Sequence, residues 1–281
     1  MATSNTASTQ WRDRYGPWAV VTGASDGIGL EIARDLAARG LKLVLVARRA
    51  AVLEQIADVI ERTNSVETRV IAADLGKSDD VERVLRECQD LDVGLLVASA
   101  GFGTTGNFLA TDIRDEVDMV DVNCRAVLAM SKHFSARFAA RKKGGLILFG
   151  SIVGYQGVGN AANYAATKAY VQTLAEGLAV DLAPSGIDVL SCAPGPVETG
   201  FAVRSNLSSA QSADPRAVAR ETVAALGRMT TVKPGIMSKI LINSLAFLPR
   251  RARTKILSGI MASRTKHHHG SEAQRTPQQP A

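Results

Sequence analysis

The sequence predicts an α/β fold, a single doubly wound domain with a parallel sheet and helices on both faces. Over the first two-thirds of the chain, short runs of Val, Ile and Leu alternate with longer segments of helical periodicity. The runs are continuously apolar, which is typical of parallel strands that are covered on both sides. Each candidate functional motif also follows such a run, where ligands bind in this architecture.

The predicted strands read WAVVTG, KLVLVA, TRVIAADL, VGLLVASAG, GLILFGS and IDVLSCAPG, at 18–23, 42–47, 68–75, 93–101, 145–151 and 187–195. The first helix, 28–40, has Ile28, Ile32 and Leu36 at helical spacing and Gly40 as a C-terminal cap. Further helices are predicted at about 50–62 and 161–183 and between the remaining strands, including 113–141.

The domain is expected to span about 15–262, because no internal repeat or interdomain linker interrupts it. A disordered tail is predicted at 1–14 and a polar tail at 263–281. Within the domain, about 196–228 is the expected substrate segment and 232–262 a basic C-terminal segment. The N-terminus lacks the apolar core of a signal peptide.

Charge and cysteine content narrow the function classes. The net charge is +6, but Thr222 to Lys266 holds nine Lys or Arg and no acid, so the positive charge is local. No aromatic-rich basic motif accompanies it, and nucleic-acid binding is not expected. Cys88, Cys124 and Cys192 lie far apart without a CxxC spacing, so neither disulfides nor a metal site is expected. A reducing, cytoplasmic location is the hypothesis.

The glycines of VTGASDGIG lie directly between a strand and a helix. Glycine there allows a sharp turn and lets a pyrophosphate approach main-chain N–H groups at a helix N-terminus. A βα turn without a ligand is the alternative. The predicted dinucleotide contacts in this loop are Gly23, Ser25, Asp26, Gly27, Ile28 and Gly29.

The end of the second strand favours NADP(H) as the cofactor. Ala47 stands where an acid would grip a free ribose hydroxyl, and Arg48 and Arg49 follow. A guanidinium suits a phosphate dianion, so Arg48 is the predicted main contact, with Ser25 as a helper. Two solvated arginines are the alternative. Asp74 and Leu75 are predicted at the adenine edge, with plain turn chemistry as their alternative.

The stretch YAATK places Lys168 one helical turn after Tyr164. Carbonyl reduction by a nicotinamide needs a proton for the developing alkoxide, and a phenol of ordinary pKa is a poor proton exchanger near neutral pH. A nearby ammonium is predicted to lower the pKa of Tyr164. Ser151 ends the strand before this helix, where it can donate to the substrate oxygen.

The motifs TGASDGIG, SAG at 99–101, Asn123, Ser151, YAATK and PGPVET at 194–199 occur in one order and spacing. Together they resemble the short-chain dehydrogenase/reductase family over about 17–230, with a Rossmann-type fold. The opening YGPWAVVTGASDGIG is similar to the branch of hydroxysteroid dehydrogenases and 3-ketoacyl reductases. The resemblance implies that Lys168 holds the nicotinamide ribose and Asn123 supports a water chain to it. It implies cofactor contacts at Ala100, Gly101, Tyr164, Lys168, Pro194, Gly195, Val197 and Thr199.

The sequence departs from the family pattern in two places. Ala98 and Ser99 precede Ala100-Gly101 where the family has two asparagines, so altered support of the sheet is expected. The usual C-terminal strand with its Asp-Gly-Gly turn is missing, and TVKPG at 231–235 is interpreted as a remnant of that strand.

The basic C-terminal segment has two interpretations. Pro249 and RRARTK follow one helical stripe of apolar residues, so the segment is either an amphipathic element on an anionic membrane or a helix over the substrate cleft or at a subunit contact. The second interpretation is favoured. The stripe comprises Ile236, Met237, Ile240, Leu241, Leu245 and Leu248.

The predicted function is an NADP(H)-dependent oxidoreductase that interconverts a ketone and a secondary alcohol on an apolar substrate. A non-catalytic NADP(H) sensor and an epimerase or dehydratase remain alternatives. The resemblance points to a homodimer or homotetramer through long helices. Substrate contacts are predicted at Phe102, Val153, Tyr155 and Phe201.

Overall fold

A computed structural model of the protein describes residues 11–198 and 212–265. Its centre is a seven-stranded sheet in the order β3-β2-β1-β4-β5-β6-β7, in which every neighbouring pair is parallel. The predicted doubly wound α/β class is confirmed. The strands are β1 (Trp18–Thr22), β2 (Lys42–Ala47), β3 (Thr68–Ala72), β4 (Val93–Ala98), β5 (Gly144–Phe149), β6 (Ile187–Cys192) and β7 (Thr231–Val232).

Helices cover both faces of this sheet, and each face carries its own hydrophobic core. A π-helical turn, Asp121–Arg125, separates the helix Ile113–Val120 from the helix Ala126–Arg141, and a short 3₁₀ turn, Ile152–Tyr155, follows β5. The α-helices are α1 (Gly27–Ala38), α2 (Ala50–Asn64), α3 (Ser78–Glu87), α4 (Ile113–Val120), α5 (Ala126–Arg141), α6 (Ala162–Leu182), α7 (Pro215–Ala225), α8 (Ile236–Ala246) and α9 (Arg250–Thr265).

Several predicted strands extend beyond the observed ones at their carboxyl ends. The segments 73–75, 99–101, 150–151 and 193–195 are loops, not strand. Their apolar and small residues continue the strand pattern, but the chain leaves the sheet there to form the loops above its carboxyl edge. These loops carry the candidate site.

The N-terminal boundary of the domain differs from the predicted one. A disordered tail was predicted up to residue 14, but residues 11–15 form a helical turn. Arg14 and Tyr15 both donate to one carboxylate oxygen of Asp188 in β6, each at 2.5 Å. The ring of Trp11 lies 4.6 Å from that of Tyr15, so aromatic packing and this ion pair order the turn. Residues 1–10 lie outside the described part.

The C-terminal segment folds back over the sheet edge. The interpretation of TVKPG as a strand remnant is confirmed, since β7 pairs with β6. Helices α8 and α9 follow it, and α9 reaches Thr265, beyond the predicted boundary at 262. Among the described helices, none is long and apolar enough to span a bilayer.

Candidate active site

A cleft of about 860 Å³ opens above the carboxyl edge of the sheet. Most of the predicted contacts line it, which places the glycine loop, the end of β2 and the YAATK helix around one space. The predicted cofactor residues on its wall are Gly23, Ser25, Asp26, Gly27, Ile28, Gly29, Arg48, Arg49, Asp74, Leu75, Ala100, Gly101, Tyr164, Lys168, Pro194, Gly195 and Val197. Thr199 lies outside the described residues.

The glycine loop fits a closely approaching pyrophosphate. Gly23 has φ +67°, and Gly27 has φ +57°, values that favour glycine. A Cβ on Gly29 would lie 2.4 Å from the carbonyl oxygen of Gly23, so the turn tolerates no side chain there. Asp26 caps α1 by accepting from the Gly27 N–H at 2.7 Å. The first N–H groups of a helix have no partner within it, so this end of the cleft suits an anion such as a phosphate.

Both arginines after β2 are exposed and line the cleft. The structure distinguishes them: the Arg49 guanidinium donates to the Ser25 hydroxyl at 3.3 Å. Arg49 and Ser25 therefore form the bridge between the two loops, whereas the sequence placed Arg48 as the main contact with Ser25 as its helper. A phosphate between these loops would meet both guanidinium groups.

The Asp74 carboxylate takes part in turn chemistry while it lines the cleft. Its Oδ1 accepts from the Gly76 N–H at 3.1 Å, and the Asp74 N–H donates to Asp80 at 2.8 Å. The turn alternative weighed for Asp74 is thus present in the structure. The carboxylate is held in place by its own loop.

Ser99 replaces the sheet support that an asparagine would supply. Its hydroxyl donates to the carbonyl oxygen of Thr22 at 2.5 Å, and the Ala100 N–H donates to the Thr22 hydroxyl at 3.0 Å. These two bonds join the carboxyl ends of β1 and β4. These bonds are the altered support of the sheet that the sequence predicts. Ala100 and Gly101 still line the cleft.

The Tyr164 and Ser151 hydroxyls meet inside the cleft. Both residues are buried, at 8% and 7% exposure. Burial raises the pKa of Tyr164 to about 12, and the hydrogen bond with Ser151 lowers it only in part. Ser151 is fixed by the Val153 N–H, which donates to its Oγ at 3.4 Å, and by the Pro194 carbonyl oxygen at 3.3 Å.

Lys168 lies on the same helix face as Tyr164, but it does not lower the pKa of that phenol. Its Nζ donates to the Phe149 carbonyl oxygen at 2.8 Å and lies 5.9 Å from the Tyr164 ring centroid. Burial lowers the pKa of Lys168 to about 8, so the amine is mostly protonated at pH 7 but loses its proton well below its usual pKa of 10.5. The predicted lowering of the Tyr164 pKa is therefore wrong for this structure, because burial raises this pKa and outweighs the hydrogen bond with Ser151.

Asn123 sits in the π-helical turn, a distortion that is frequent at functional sites. Asn123 is 1% exposed, and its side-chain amide forms two hydrogen bonds with the main chain of Phe102. Its Oδ1 accepts from the Phe102 N–H at 3.1 Å, and its Nδ2 donates to the Phe102 carbonyl oxygen at 2.8 Å. Nδ2 also donates to Thr167 at 3.0 Å. A Cβ on Gly101 would lie 2.8 Å from Asn123 Oδ1 and 3.5 Å from Lys168 Nζ, so the amide and the amine border the same narrow space.

Sequence reasoning missed a buried polar cluster behind Tyr164. Glu116 in α4, 7% exposed, accepts from the Thr104 hydroxyl at 2.8 Å and from the Asn163 amide at 2.7 Å. Between Phe102 and Thr104, Gly103 packs against Tyr164, since a Cβ there would lie 2.8 Å from the ring. The one available signal was an acid at a buried position of a helix, which periodicity alone does not distinguish from a solvated one.

The structure places some of the predicted substrate residues on the cleft wall and others elsewhere. Phe102 and Val153 line the cleft, whereas Tyr155 is not among the lining residues and its ring lies 5.2 Å from Lys233 Nζ. The Tyr155 ring packs against the apolar cluster that contains Phe102 and Val153. Phe201, like most of the first half of the predicted substrate segment, lies outside the described residues.

The C-terminal helices supply an apolar roof that the sequence only partly indicated. Leu241 of α8 and Leu257, Ile260 and Met261 of α9 line the cleft. Leu241, Leu257 and Met261 pack in one cluster with Phe102, Val153 and Tyr164. The face of these two helices that is turned toward the sheet packs over the cleft, as the favoured interpretation of this segment predicts.

The comparison with protein families agrees with this geometry. A family model described as short chain dehydrogenase matches residues 17–210. The chain belongs to the short chain dehydrogenase family. It is therefore a nucleotide-binding oxidoreductase by family, and the predicted membership is confirmed.

Sequence relatives include hydroxysteroid dehydrogenases and ketoacyl reductases, the predicted branch. A 7beta-hydroxysteroid dehydrogenase from Clostridium sardiniense is 34% identical over 74% of this chain and 78% of its own. A very-long-chain 3-oxoacyl-CoA reductase from Podospora anserina is 38% identical over 63% of this chain and 53% of its own. This chain thus spans about half the length of that reductase. An inactive hydroxysteroid dehydrogenase-like protein 1 from Homo sapiens is 33% identical over 76% of this chain and 67% of its own.

Solved structures show the same similarity. A 7beta-hydroxysteroid dehydrogenase, studied for its stereoselectivity, superposes with a TM-score of 0.81 at 25% identity, over 88% of this chain and 98% of that one. A short-chain dehydrogenase from Sphingobium yanoikuyae in complex with NADPH gives a TM-score of 0.74 at 26% identity, over 95% and 99%. A bulky-bulky ketone specific alcohol dehydrogenase from Comamonas testosteroni also gives 0.74 at 26%, over 95% and 98%.

Proposed function

We propose that this protein reduces a bulky apolar ketone to a secondary alcohol with NADPH, and catalyses the reverse oxidation with NADP⁺. The observation that carries the proposal is the meeting of the Ser151 and Tyr164 hydroxyls beside Lys168 on the wall of the dinucleotide cleft. This arrangement holds a carbonyl oxygen and supplies it with a proton. The nicotinamide supplies the hydride when it is bound.

In reduction, the Tyr164 hydroxyl donates to the substrate oxygen, and the Ser151 hydroxyl turns from the Pro194 carbonyl oxygen to donate to the same atom, which holds the carbonyl in the cleft. As the oxygen becomes an alkoxide, the proton leaves the Tyr164 oxygen for it, and Ser151 keeps donating to the same atom. The pKa of about 12 keeps Tyr164 protonated at neutral pH, so the phenol is ready as an acid. Lys168 binds the nicotinamide ribose in this proposal, as the family resemblance implies, and its Nζ is held in place by the Phe149 carbonyl oxygen.

The apolar roof supports the choice of substrate class. Carbon side chains from Phe102, Val153, Leu241, Leu257 and Met261 surround the space beyond Ser151 and Tyr164. Burial of apolar surface favours a substrate with a large hydrocarbon body by about 25 cal/mol per Å². A steroid ketone or a bulky aryl ketone fits this lining, and so does a long-chain 3-oxoacyl thioester.

The role of Tyr164 is tested by Tyr164→Phe, with NADPH consumption measured against steroid, aryl and 3-oxoacyl ketones. The variant removes the proton donor but keeps the ring, so the rate falls by about 10²–10⁴. The dissociation constant for NADPH changes little. Tyr170→Phe on the same helix is the matched control, because its ring is 38% exposed and turned away from the cleft lining. Activity that survives Tyr164→Phe contradicts the proposal.

NADP(H) preference is supported by the two guanidinium groups and the Ser25 hydroxyl at the end of β2. Arg48→Asp and Arg49→Asp each remove a cation and repel a 2′-phosphate. We expect each to raise the Michaelis constant for NADPH by about 10-fold or more, in line with about 1.5–3 kcal/mol for a charged hydrogen bond. The constant for NADH changes little. Arg86→Asp, on α3, controls for net charge, and equal effects on both cofactors contradict the phosphate contact.

Two alternatives remain open to experiment. A non-catalytic NADP(H) sensor is suggested by the inactive human relative, and it predicts cofactor binding with no ketone consumed. An epimerase or dehydratase regenerates its nicotinamide, so substrate changes without a net change in cofactor absorbance. Product analysis by mass spectrometry separates both from a reductase.

The homodimer or homotetramer expected from the resemblance and the cytoplasmic location stay predictions.

A further inference from the structure

We propose that the outer face of α8 and α9 docks on an anionic lipid bilayer. The inner face of these helices roofs the cleft, but the outer face carries exposed apolar and basic side chains that the proposed function does not use. We call this surface the C-terminal face, defined by Ile236, Ile240, Phe247, Arg250, Arg251 and Lys255. The proposal does not depend on the reaction that the cleft catalyses.

The apolar part of the C-terminal face is one helical stripe. Ile236, Ile240 and Phe247 are 74%, 57% and 91% exposed. Their spacings of four and seven residues place Ile236 and Ile240 on one side of α8 and Phe247, which caps its C-terminal end, on the same side. Ser238 and Leu245 on the opposite side are buried. Large apolar side chains so exposed and aligned mark an interaction surface.

The basic part adjoins the stripe at the turn between the two helices. Arg250, Arg251 and Lys255 are exposed, and among the residues that the structure describes no carboxylate forms an ion pair with them. The sequence between Thr222 and Lys266 has nine basic and no acidic residues. An exposed phenylalanine next to paired arginines is typical of helices that lie in the headgroup region of a membrane.

Charge decides between a bilayer and a second copy of the chain. In a two-fold contact the same patch meets itself, so the arginine pairs would oppose one another without acids between them. An anionic lipid surface attracts such cations by about 1 kcal/mol each, while the stripe enters the headgroup boundary. The body of the protein holds the face in place, since Lys239 pairs with Glu221 at 3.0 Å and Ser258 accepts from the Gly159 N–H at 2.7 Å.

The experiment is co-sedimentation of the full chain with vesicles of phosphatidylglycerol and phosphatidylcholine, and with phosphatidylcholine alone. We expect binding to the anionic vesicles that weakens with added salt. Arg250→Gln combined with Arg251→Gln should weaken it roughly 25-fold, from about fivefold per cation. Phe247→Ser should weaken it about tenfold, which corresponds to about half of a phenylalanine side chain leaving water.

Matched controls come from exposed residues on other elements. Arg86→Gln on α3 removes a cation, and Val180→Ser on α6 removes an apolar side chain that is 75% exposed. Both should bind anionic vesicles as the parent protein does. Thermal melts of all variants verify folding.

Three results would overturn the proposal. The first is no sedimentation with anionic vesicles, and the second is equal binding to both vesicle types or equal loss in the controls. The third is a change of molar mass in light scattering when Phe247→Ser is introduced, which would show that the C-terminal face contacts another copy of the chain.

Discussion

At the scale of single residues, the site depends on two buried titratable groups with opposite pKa changes. Burial raises the pKa of Tyr164 to about 12 and lowers that of Lys168 to about 8. Both changes favour the neutral form, which is what a low-dielectric environment does. A neutral phenol is the form that donates a proton in reduction. The free-energy cost of burying the Lys168 ammonium can be measured without any substrate.

The pH dependence of stability tests the state of Lys168. Between about pH 8 and its usual pKa of 10.5, the folded lysine has lost its proton while the unfolded one keeps it. The unfolded state then binds more protons, so this contribution to stability rises with pH over that window. Below pH 8 the cost is fully present. At about 1.4 kcal/mol per pKa unit, the rise is about 3 kcal/mol.

Comparison with Lys168→Met isolates this contribution from the other titrating groups. The free energy of unfolding of the parent protein minus that of the variant should increase from pH 8 to 10.5 in urea titrations. The exposed Lys132→Met provides the baseline. If this difference in the free energy of unfolding stays constant or falls as the pH rises, burial does not lower the pKa of Lys168.

At the scale of elements, α4 and α6 are joined behind the site by the Glu116 carboxylate. It holds Thr104 in the loop after β4 and Asn163 beside Tyr164. The π-helical turn after α4 points Asn123 at the same loop. The loop is thereby held from two sides, and its Gly103 packs on the Tyr164 ring.

Glu116→Leu should loosen this loop, because the Thr104 hydroxyl loses the carboxylate and the Asn163 amide keeps only the Glu116 main-chain carbonyl oxygen as acceptor. A polar group left without its partner costs about 1–3 kcal/mol, so the free energy of unfolding falls by about that amount. We expect kcat to fall more than the Michaelis constant for NADPH rises, because the effect concerns the ring and not the cofactor. Steady-state kinetics and urea titration measure both.

Glu116→Gln keeps an acceptor oxygen and should recover most of the stability and kcat. The exposed Asp115→Leu on the same helix serves as the control. If Glu116→Leu keeps the parent kinetics, the cluster serves stability alone.

At the scale of the whole molecule, the parallel sheet collects the site residues from distant parts of the sequence. The loops after β1, β2, β4, β5 and β6 all end on one edge, so motifs from Gly23 to Val197 share one cleft. The last two helices close that cleft and present a basic outer surface.

The amino-acid sequence by itself determined the element order, the parallel sheet and the residues of the cleft, because strand periodicity and the spacing of motifs such as YAATK are local properties. Only the tertiary structure decided how those residues behave. The pKa of Tyr164 depends on how deeply the ring is buried and on its hydrogen bond with Ser151. The roles of Glu116, Asn163 and the roof over the cleft depend on contacts between elements far apart in sequence, which a local pattern does not record.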